Sequence, residues 1–180
     1  MTSLIIRTER LGEEAAIRRV TEAAFADHPH SEGTEPAIVD RLRADGDLAL
    51  SLVAELDGVT VGHAAYSAAI LSNSEQGWYA LGPIGVLPER QRLGIGRALV
   101  EAGAERLRAQ GARGIVLLGD PGLYARFGFL RGTPLSIPGP LAGYFQVLPF
   151  VQDVPEAQVR FAPAFTLARV RNRPAPALER

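Results

Sequence analysis

The stretch Leu81–Val100, LGPIGVLPERQRLGIGRALV, decides how this chain folds. It begins as an apolar strand, turns at Pro88 into a polar loop, and reaches Gly94 and Gly96 at the start of a helix. The first N–H groups of a helix have no partner within the helix, and the helix dipole adds about half a positive charge there. Because glycine leaves the backbone open to close approach, this segment predicts a phosphate-binding turn.

Two common phosphate motifs do not match this turn. A dinucleotide fingerprint requires a third Gly or Ala where Leu99 stands, and a Walker A loop requires Lys, which the chain lacks. A generic nucleotide-binding protein is therefore a remote alternative. Positive charge near the turn comes from arginines, namely Arg90, Arg92 and Arg97.

Composition excludes several kinds of chemistry. The 180 residues are 47% hydrophobic and 22% charged, as in an ordinary globular protein, and predict one domain. The absence of Cys excludes thiolate nucleophiles, disulfides and Cys-ligated zinc, and the absence of Lys excludes Schiff-base chemistry. With 3 His we expect no metal site. A net charge of −1 predicts neither nucleic acid nor membrane as a partner.

The chain carries no membrane or export signal that we recognise. No run approaches the roughly 18 apolar residues of a membrane span. The first residues, MTSLIIRTERLGEEAA, lack the basic region and apolar segment of a secretory signal. We therefore expect a cytoplasmic protein.

Periodicity predicts the elements around the central turn. Asp57-Gly58 is a strong hairpin signal between two strands. A helix over 94–110 followed by an apolar strand over 115–118 makes a right-handed crossover with a parallel strand pair. Upstream, the pattern predicts a strand at 3–8, helices over 13–26 and from Thr34, and strands at 48–56, 59–71 and 78–87.

The last third of the chain has a different character. Eight of the 13 prolines lie from Pro134 onward, so helix is not expected there. Short strands are predicted at 145–148, 159–161 and 164–170, followed by a frayed tail at 171–180.

Gln91-Arg92-Leu93-Gly94-Ile95-Gly96 resembles the Q/R-x-x-G-x-G/A pyrophosphate motif of the GNAT superfamily of acetyl-CoA-dependent N-acetyltransferases. The resemblance implies that the loop's backbone amides hold the pyrophosphate of coenzyme A and that the preceding strand binds the pantetheine arm. The coenzyme-binding residues it implies are Ile84, Gly85, Val86, Gln91, Arg92, Leu93, Gly94, Ile95, Gly96 and Arg97.

A second segment supports the same resemblance. Gly119–Phe129, GDPGLYARFGF, is similar to the family's later motif Y-x-x-x-G-F, and to a bacterial subgroup of the family. There a Tyr commonly protonates the leaving thiolate, which implies that Tyr124 is the general acid. The alternative is that Tyr124 only packs against the nearby phenylalanines. Asp120 is expected to cap the short helix that follows it.

The resemblance implies an α/β fold with a mixed sheet splayed between its fourth and fifth strands and flanked by helices. Residues 1–170 would form a single GNAT-like domain with a core at about 3–131 and Pro-rich strands after it. A homodimer is a further expectation.

Direct acetyl transfer to a primary amine of a small molecule, in a ternary complex, is the activity implied. A non-catalytic module that binds CoA or acyl-CoA as a sensor or scaffold is the alternative. The strand 78–87 holds no carboxylate, so the general base stays open, with Glu75 and Glu89 on either side and a water chain to solvent as the preferred route. His28 and His30 are candidates for acceptor contact, while His63 is expected to be an ordinary core or surface residue.

Overall fold

A mixed six-stranded sheet organises the molecule. The computed structural model describes residues 3–29 and 31–167. His30, the last residues of the strand expected at 164–170 and the tail expected at 171–180 lie outside these ranges. In the described part, no helix is long and apolar enough to cross a lipid bilayer.

The elements follow the order that the sequence predicts, with additions near the end. The helices are α1 Glu14–Phe25, α2 Glu35–Ala44, α3 Ile95–Ala109 and α4 Pro121–Tyr124. The strands are β1 Leu4–Thr8, β2 Leu48–Leu56, β3 Val59–Ala68, β4 Ile70–Leu71, β5 Trp78–Val86, β6 Gly114–Leu118, β7 Leu135–Ser136, β8 Phe145–Pro149 and β9 Ala157–Arg160. The main sheet has the order β1-β2-β3-β5-β6-β8, and a small sheet has the order β4-β9-β7.

Helices cover both faces of the main sheet. Ile95, Leu99 and Leu107 of α3 pack into one buried cluster with β2, β3 and β6. On the opposite face, α1 and α2 contribute buried apolar side chains, among them Ile17 and Leu42. This arrangement places the N-terminus of α3 at the end of β5.

The sheet is splayed between its fourth and fifth strands, β5 and β6, as expected. These two strands are parallel and pair only over Trp78–Ala80 and Gly114–Val116. β5 then continues to Val86 without β6 beside it, while the end of β6 pairs with β8. A wedge therefore opens between the two strands, and one edge of β5 is free inside it.

Two of the predicted strands are wrong. The run over 59–71 is not continuous, because Ile70 and Leu71 leave the main sheet and pair with Arg160 and Val159 of β9. This partner lies far downstream, so local periodicity does not reveal the break. The strand predicted at 164–170 begins instead with a 3-10 turn, Pro163–Thr166, at a proline that lacks the N–H a strand ladder needs.

Candidate active site

A cavity of about 2590 Å³ follows the wedge between β5 and β6. Its walls come from β5, the turn into α3, residues 118–127 around α4, the α1–α2 loop, and a C-terminal segment over residues 137–166. Of the residues expected at the site, it is lined by Ile84, Gly85, Val86, Gln91, Arg92, Gly94, Ile95, Gly96, Arg97, Tyr124 and His28. Leu93 is 63% exposed and does not line it.

The turn into α3 leaves its backbone accessible. Gly94 is the N-cap of α3 with φ +80°, a conformation that favours glycine. A Cβ at Gly94 would meet no atom within 4 Å, and at Gly96 only Val86 Cγ2 at 3.9 Å. The Gln91 side chain donates from Nε2 to the Val86 carbonyl oxygen at 3.1 Å, which ties the turn to the end of β5. The helix N-terminus is thus open to an anion.

Three arginines surround this turn, but not all of their positive charge is available to a bound anion. Arg97 donates from Nε to Glu101 at 2.6 Å, so its charge is partly offset. Arg90 and Arg92 are exposed, line the cavity, and form no ion pair with any described residue. They are therefore the cations best able to attract phosphate at this end.

The free edge of β5 presents backbone groups to the wedge. Leu87 donates its N–H to the Val61 carbonyl at 2.9 Å, and Gly85 is paired with His63 of β3. Because the direction of N–H and C=O alternates along a strand, the N–H and C=O of Ile84 and Val86 point away from β3. Of these groups, the Val86 carbonyl already accepts the hydrogen bond from Gln91. An extended chain lying in the wedge can therefore pair with β5 as an additional strand.

Tyr124 ends α4, whose N-cap Asp120 accepts a hydrogen bond from Gly122 N–H at 2.7 Å as predicted. The Tyr124 ring packs edge-on against Phe127 and Phe129, with centroids 6.0 and 5.7 Å away. Its hydroxyl forms no hydrogen bond with a described residue. Burial raises the pKa of Tyr124 to about 12, so the phenol stays protonated near neutral pH.

The carboxylates flanking β5 take no part in this cavity. Glu75 pairs with Arg113 at 2.5 Å, and neither Glu75 nor Glu89 lines the cavity. His63 is buried on the α1–α2 face, where its Nε2 contacts Ser51 Oγ at 2.8 Å. It is a core residue, as expected.

The structure adds residues that the sequence did not single out. Glu32 of the α1–α2 loop lines the cavity together with Glu35 of α2. Phe161 and Phe165 line it from the Pro-rich segment. No local pattern indicates these residues, since the α1–α2 loop and the C-terminal segment meet only in the folded chain. Over residues 3–29 and 31–167, no three His, Asp or Glu residues are grouped to hold a metal ion.

Comparison with known proteins agrees with this geometry. The sequence model of the acetyltransferase (GNAT) family matches residues 16–129. The N-acetyltransferase YhbS of Escherichia coli K12 is 35% identical over 119 residues, which are 66% of this chain and 66% of YhbS.

Two crystal structures share the fold over nearly the whole chain. A GNAT family acetyltransferase from Brucella melitensis, in complex with acetyl-CoA, is 48% identical, with a TM-score of 0.81 over 91% of this chain and 98% of that one. YhbS from Escherichia coli, in complex with CoA, is 29% identical, with a TM-score of 0.84 over 92% and 93%. With a family match over more than half of its length and the splayed sheet typical of that family, this chain belongs to the GNAT family of acetyltransferases.

Proposed function

We propose that this acetyltransferase moves the acetyl group of acetyl-CoA to a primary amine of a small molecule, by direct attack within a ternary complex. One observation carries the proposal: a single cavity joins the turn into α3, the free edge of β5 and Tyr124. At about 2590 Å³ it exceeds the roughly 300–1,000 Å³ of a site for one small ligand, which supports two substrates bound side by side.

The residues present fit coenzyme A. The open backbone at Gly94 and Gly96 would accept the pyrophosphate, with Arg90 and Arg92 supplying charge. The pantetheine arm contains amides, which match the outward N–H and C=O groups of β5. Both crystallised relatives, from Brucella melitensis and Escherichia coli, hold this coenzyme or its acetyl form.

The chemical step divides among few groups. Bound acetyl-CoA supplies a thioester carbonyl; the amine nitrogen bonds to its carbon, the C–S bond breaks, and the amine loses a proton to water. The Val86 N–H, on the free edge of β5, would stabilise negative charge on the carbonyl oxygen. Tyr124, which its raised pKa keeps protonated at neutral pH, would donate its proton to the leaving sulfur and regain one from water. Holding both substrates in line supplies much of the remaining rate enhancement.

Calorimetric titration with acetyl-CoA tests the coenzyme site, with ATP and NAD as controls. We expect saturable binding of acetyl-CoA alone. The Gly96→Val variant should weaken it by about 10- to 100-fold, because side-chain bulk removes charge-assisted hydrogen bonds to the pyrophosphate.

Ala109→Val is the control, since it gives the same final side chain at the exposed far end of α3 and should leave binding unchanged. Absence of acetyl-CoA binding by the wild-type protein contradicts the proposal. Binding without acetylation of any amine in a broad panel favours the sensor or scaffold alternative. The homodimer, the cytoplasmic location and the domain limits stay predictions.

A further inference from the structure

The acceptor side of the cavity has a wall that lies largely outside the segment shared with the family model. That match ends at residue 129, whereas the cavity continues along residues 137–166. The α1–α2 loop and the start of α2 form the other part of this wall. These two segments differ in chemistry, because one carries carboxylates and the other carries aromatic rings.

The carboxylates are Glu32 and Glu35. Both are half-buried and both line the cavity. The Glu35 carboxylate accepts a hydrogen bond from the Ser31 hydroxyl at 2.8 Å, a neutral partner that holds the side chain without cancelling its charge. A cationic group that enters this part of the cavity therefore finds a positioned negative charge.

The aromatic rings are Phe161 and Phe165. Their centroids lie 5.7 Å apart, and each ring is half-buried, so apolar surface faces the cavity. Phe165 also lies beside β5, 3.9 Å from where a Cβ on Gly82 would stand. The aromatic pair is thus placed next to the strand along which we propose that the pantetheine arm lies.

Arg160 would favour a different acceptor, one that carries a carboxylate. It lines the same cavity from β9 and would attract a carboxylate. Its side chain is exposed, whereas Glu32 and Glu35 are half-buried. Because water and salt screen exposed charges more strongly than partly buried ones, the carboxylates have the larger effect on a bound amine.

We propose that the acceptor is a primary amine with a single positive charge on an apolar body. Glu35 and Glu32 attract its ammonium form, and Phe161 and Phe165 pack against the body. This inference rests on the proposed function and specifies the substrate class of the same site. It assigns these four residues as determinants of acceptor specificity.

Three amines test the inference. 2-Phenylethylamine combines one cation with an apolar body, phenylalanine adds a carboxylate to it, and ethanolamine lacks the apolar body. We expect kcat/KM for 2-phenylethylamine to exceed that for ethanolamine by at least about tenfold, as one apolar group in a pocket typically gives. It should also exceed that for phenylalanine, because Glu32 and Glu35 repel the added carboxylate. Calorimetry with the same amines, with and without CoA, measures the preference without turnover.

Single substitutions test whether the residues of this cavity wall cause the preference for 2-phenylethylamine. Glu35→Gln, which keeps the shape, should raise KM for 2-phenylethylamine about tenfold and leave acetyl-CoA affinity unchanged. Phe161→Ala should reduce the preference over ethanolamine. Glu156→Gln removes the same charge from an exposed position outside the cavity. It should change neither the KM for 2-phenylethylamine nor the preference over ethanolamine.

Two results overturn the inference: phenylalanine binding best, which would assign the specificity to Arg160, or an unchanged KM in Glu35→Gln. Failure of the proposed function has a different signature, since acetyl-CoA would not bind or no N-acetyl product would form. The amine-binding titration then still decides the inference.

Discussion

At the scale of single residues, Tyr124 is the side chain on which the proposed chemistry depends most directly. Its ring packs against Phe127 and Phe129, the residue lines the cavity, and its hydroxyl forms no hydrogen bond with a described residue. We expect Tyr124→Phe to lower kcat about 100-fold, as loss of a general acid does, and to leave the Kd for acetyl-CoA within about twofold. Steady-state kinetics and calorimetry on the same preparation measure both quantities, and an unchanged kcat contradicts the role.

Gly119 provides an independent test of the same role. A Cβ at this position would lie 2.8 Å from Tyr124 Cδ2 and closer still to Cε2, so an alanine displaces the ring. We expect Gly119→Ala to reduce kcat to nearly the level of Tyr124→Phe. The kcat of the double variant should be little lower than that of either single variant, because both changes remove the same contribution of Tyr124. Fully additive losses would show that Gly119 acts through another route.

At the scale of elements, the packing of α1 on β5 depends on a missing side chain. A Cβ at Gly85 would lie 2.7 Å from Ala24 Cβ, so Gly85→Ala must push α1 away from the strand. We expect a loss of about 1–3 kcal/mol in the free energy of unfolding, as overpacking usually costs. Urea unfolding measures this loss.

Ala24→Gly makes the cause testable, because it removes the opposing methyl group. In that background Gly85→Ala should cost less than in the wild type, which gives a measurable coupling energy in a double-mutant cycle. Equal costs in both backgrounds would show that the strain arises elsewhere than between these two atoms.

At the scale of the whole molecule, a polar network joins β2, β3, the residue that follows β1, and α2. Ser51 Oγ bridges His63 and Glu9, and Glu9 pairs with Arg43 of α2 at 2.8 Å. Burial, with a smaller contribution from the charge of Arg43, lowers the pKa of His63 from 6.5 to about 3. The folded protein therefore keeps His63 neutral at pH values where the unfolded chain protonates it.

The sign of the pH dependence follows from this difference. Below pH 6.5 the unfolded state binds one more proton than the folded state, so the free energy of unfolding falls as pH falls, by about 1.4 kcal/mol per unit from this group. Between pH 6.5 and 5 we expect a loss of about 2 kcal/mol, which His63→Gln should abolish. A second loss begins below about pH 4.5, because Arg7 holds the pKa of Glu13 at about 2.

Urea unfolding at pH 6.5, 5.5 and 5.0 checks this prediction on both proteins. The His63→Gln variant will be less stable than the wild type at pH 6.5, so the informative quantity is the slope of the free energy of unfolding against pH. Equal slopes would show that His63 is protonated in the folded state.

The sequence alone determined most of the elements and the glycine-containing turn into α3, because the signals that specify them are local. Glycines at the start of α3, the Asp57-Gly58 hairpin and the apolar period of α3 each act within a few residues. The family motifs around Gly94 and Tyr124 are equally local. For this reason the mixed splayed sheet and the family could be predicted before any contact was known.

Only the tertiary structure decided the acceptor side of the site. β4 separates from β3 because β9, more than 80 residues later, offers a partner for Ile70 and Leu71. Glu35 and Phe165 lie in segments with no pattern in common, yet they line one cavity. Such contacts depend on loop closure over long distances in sequence, which local propensity does not encode.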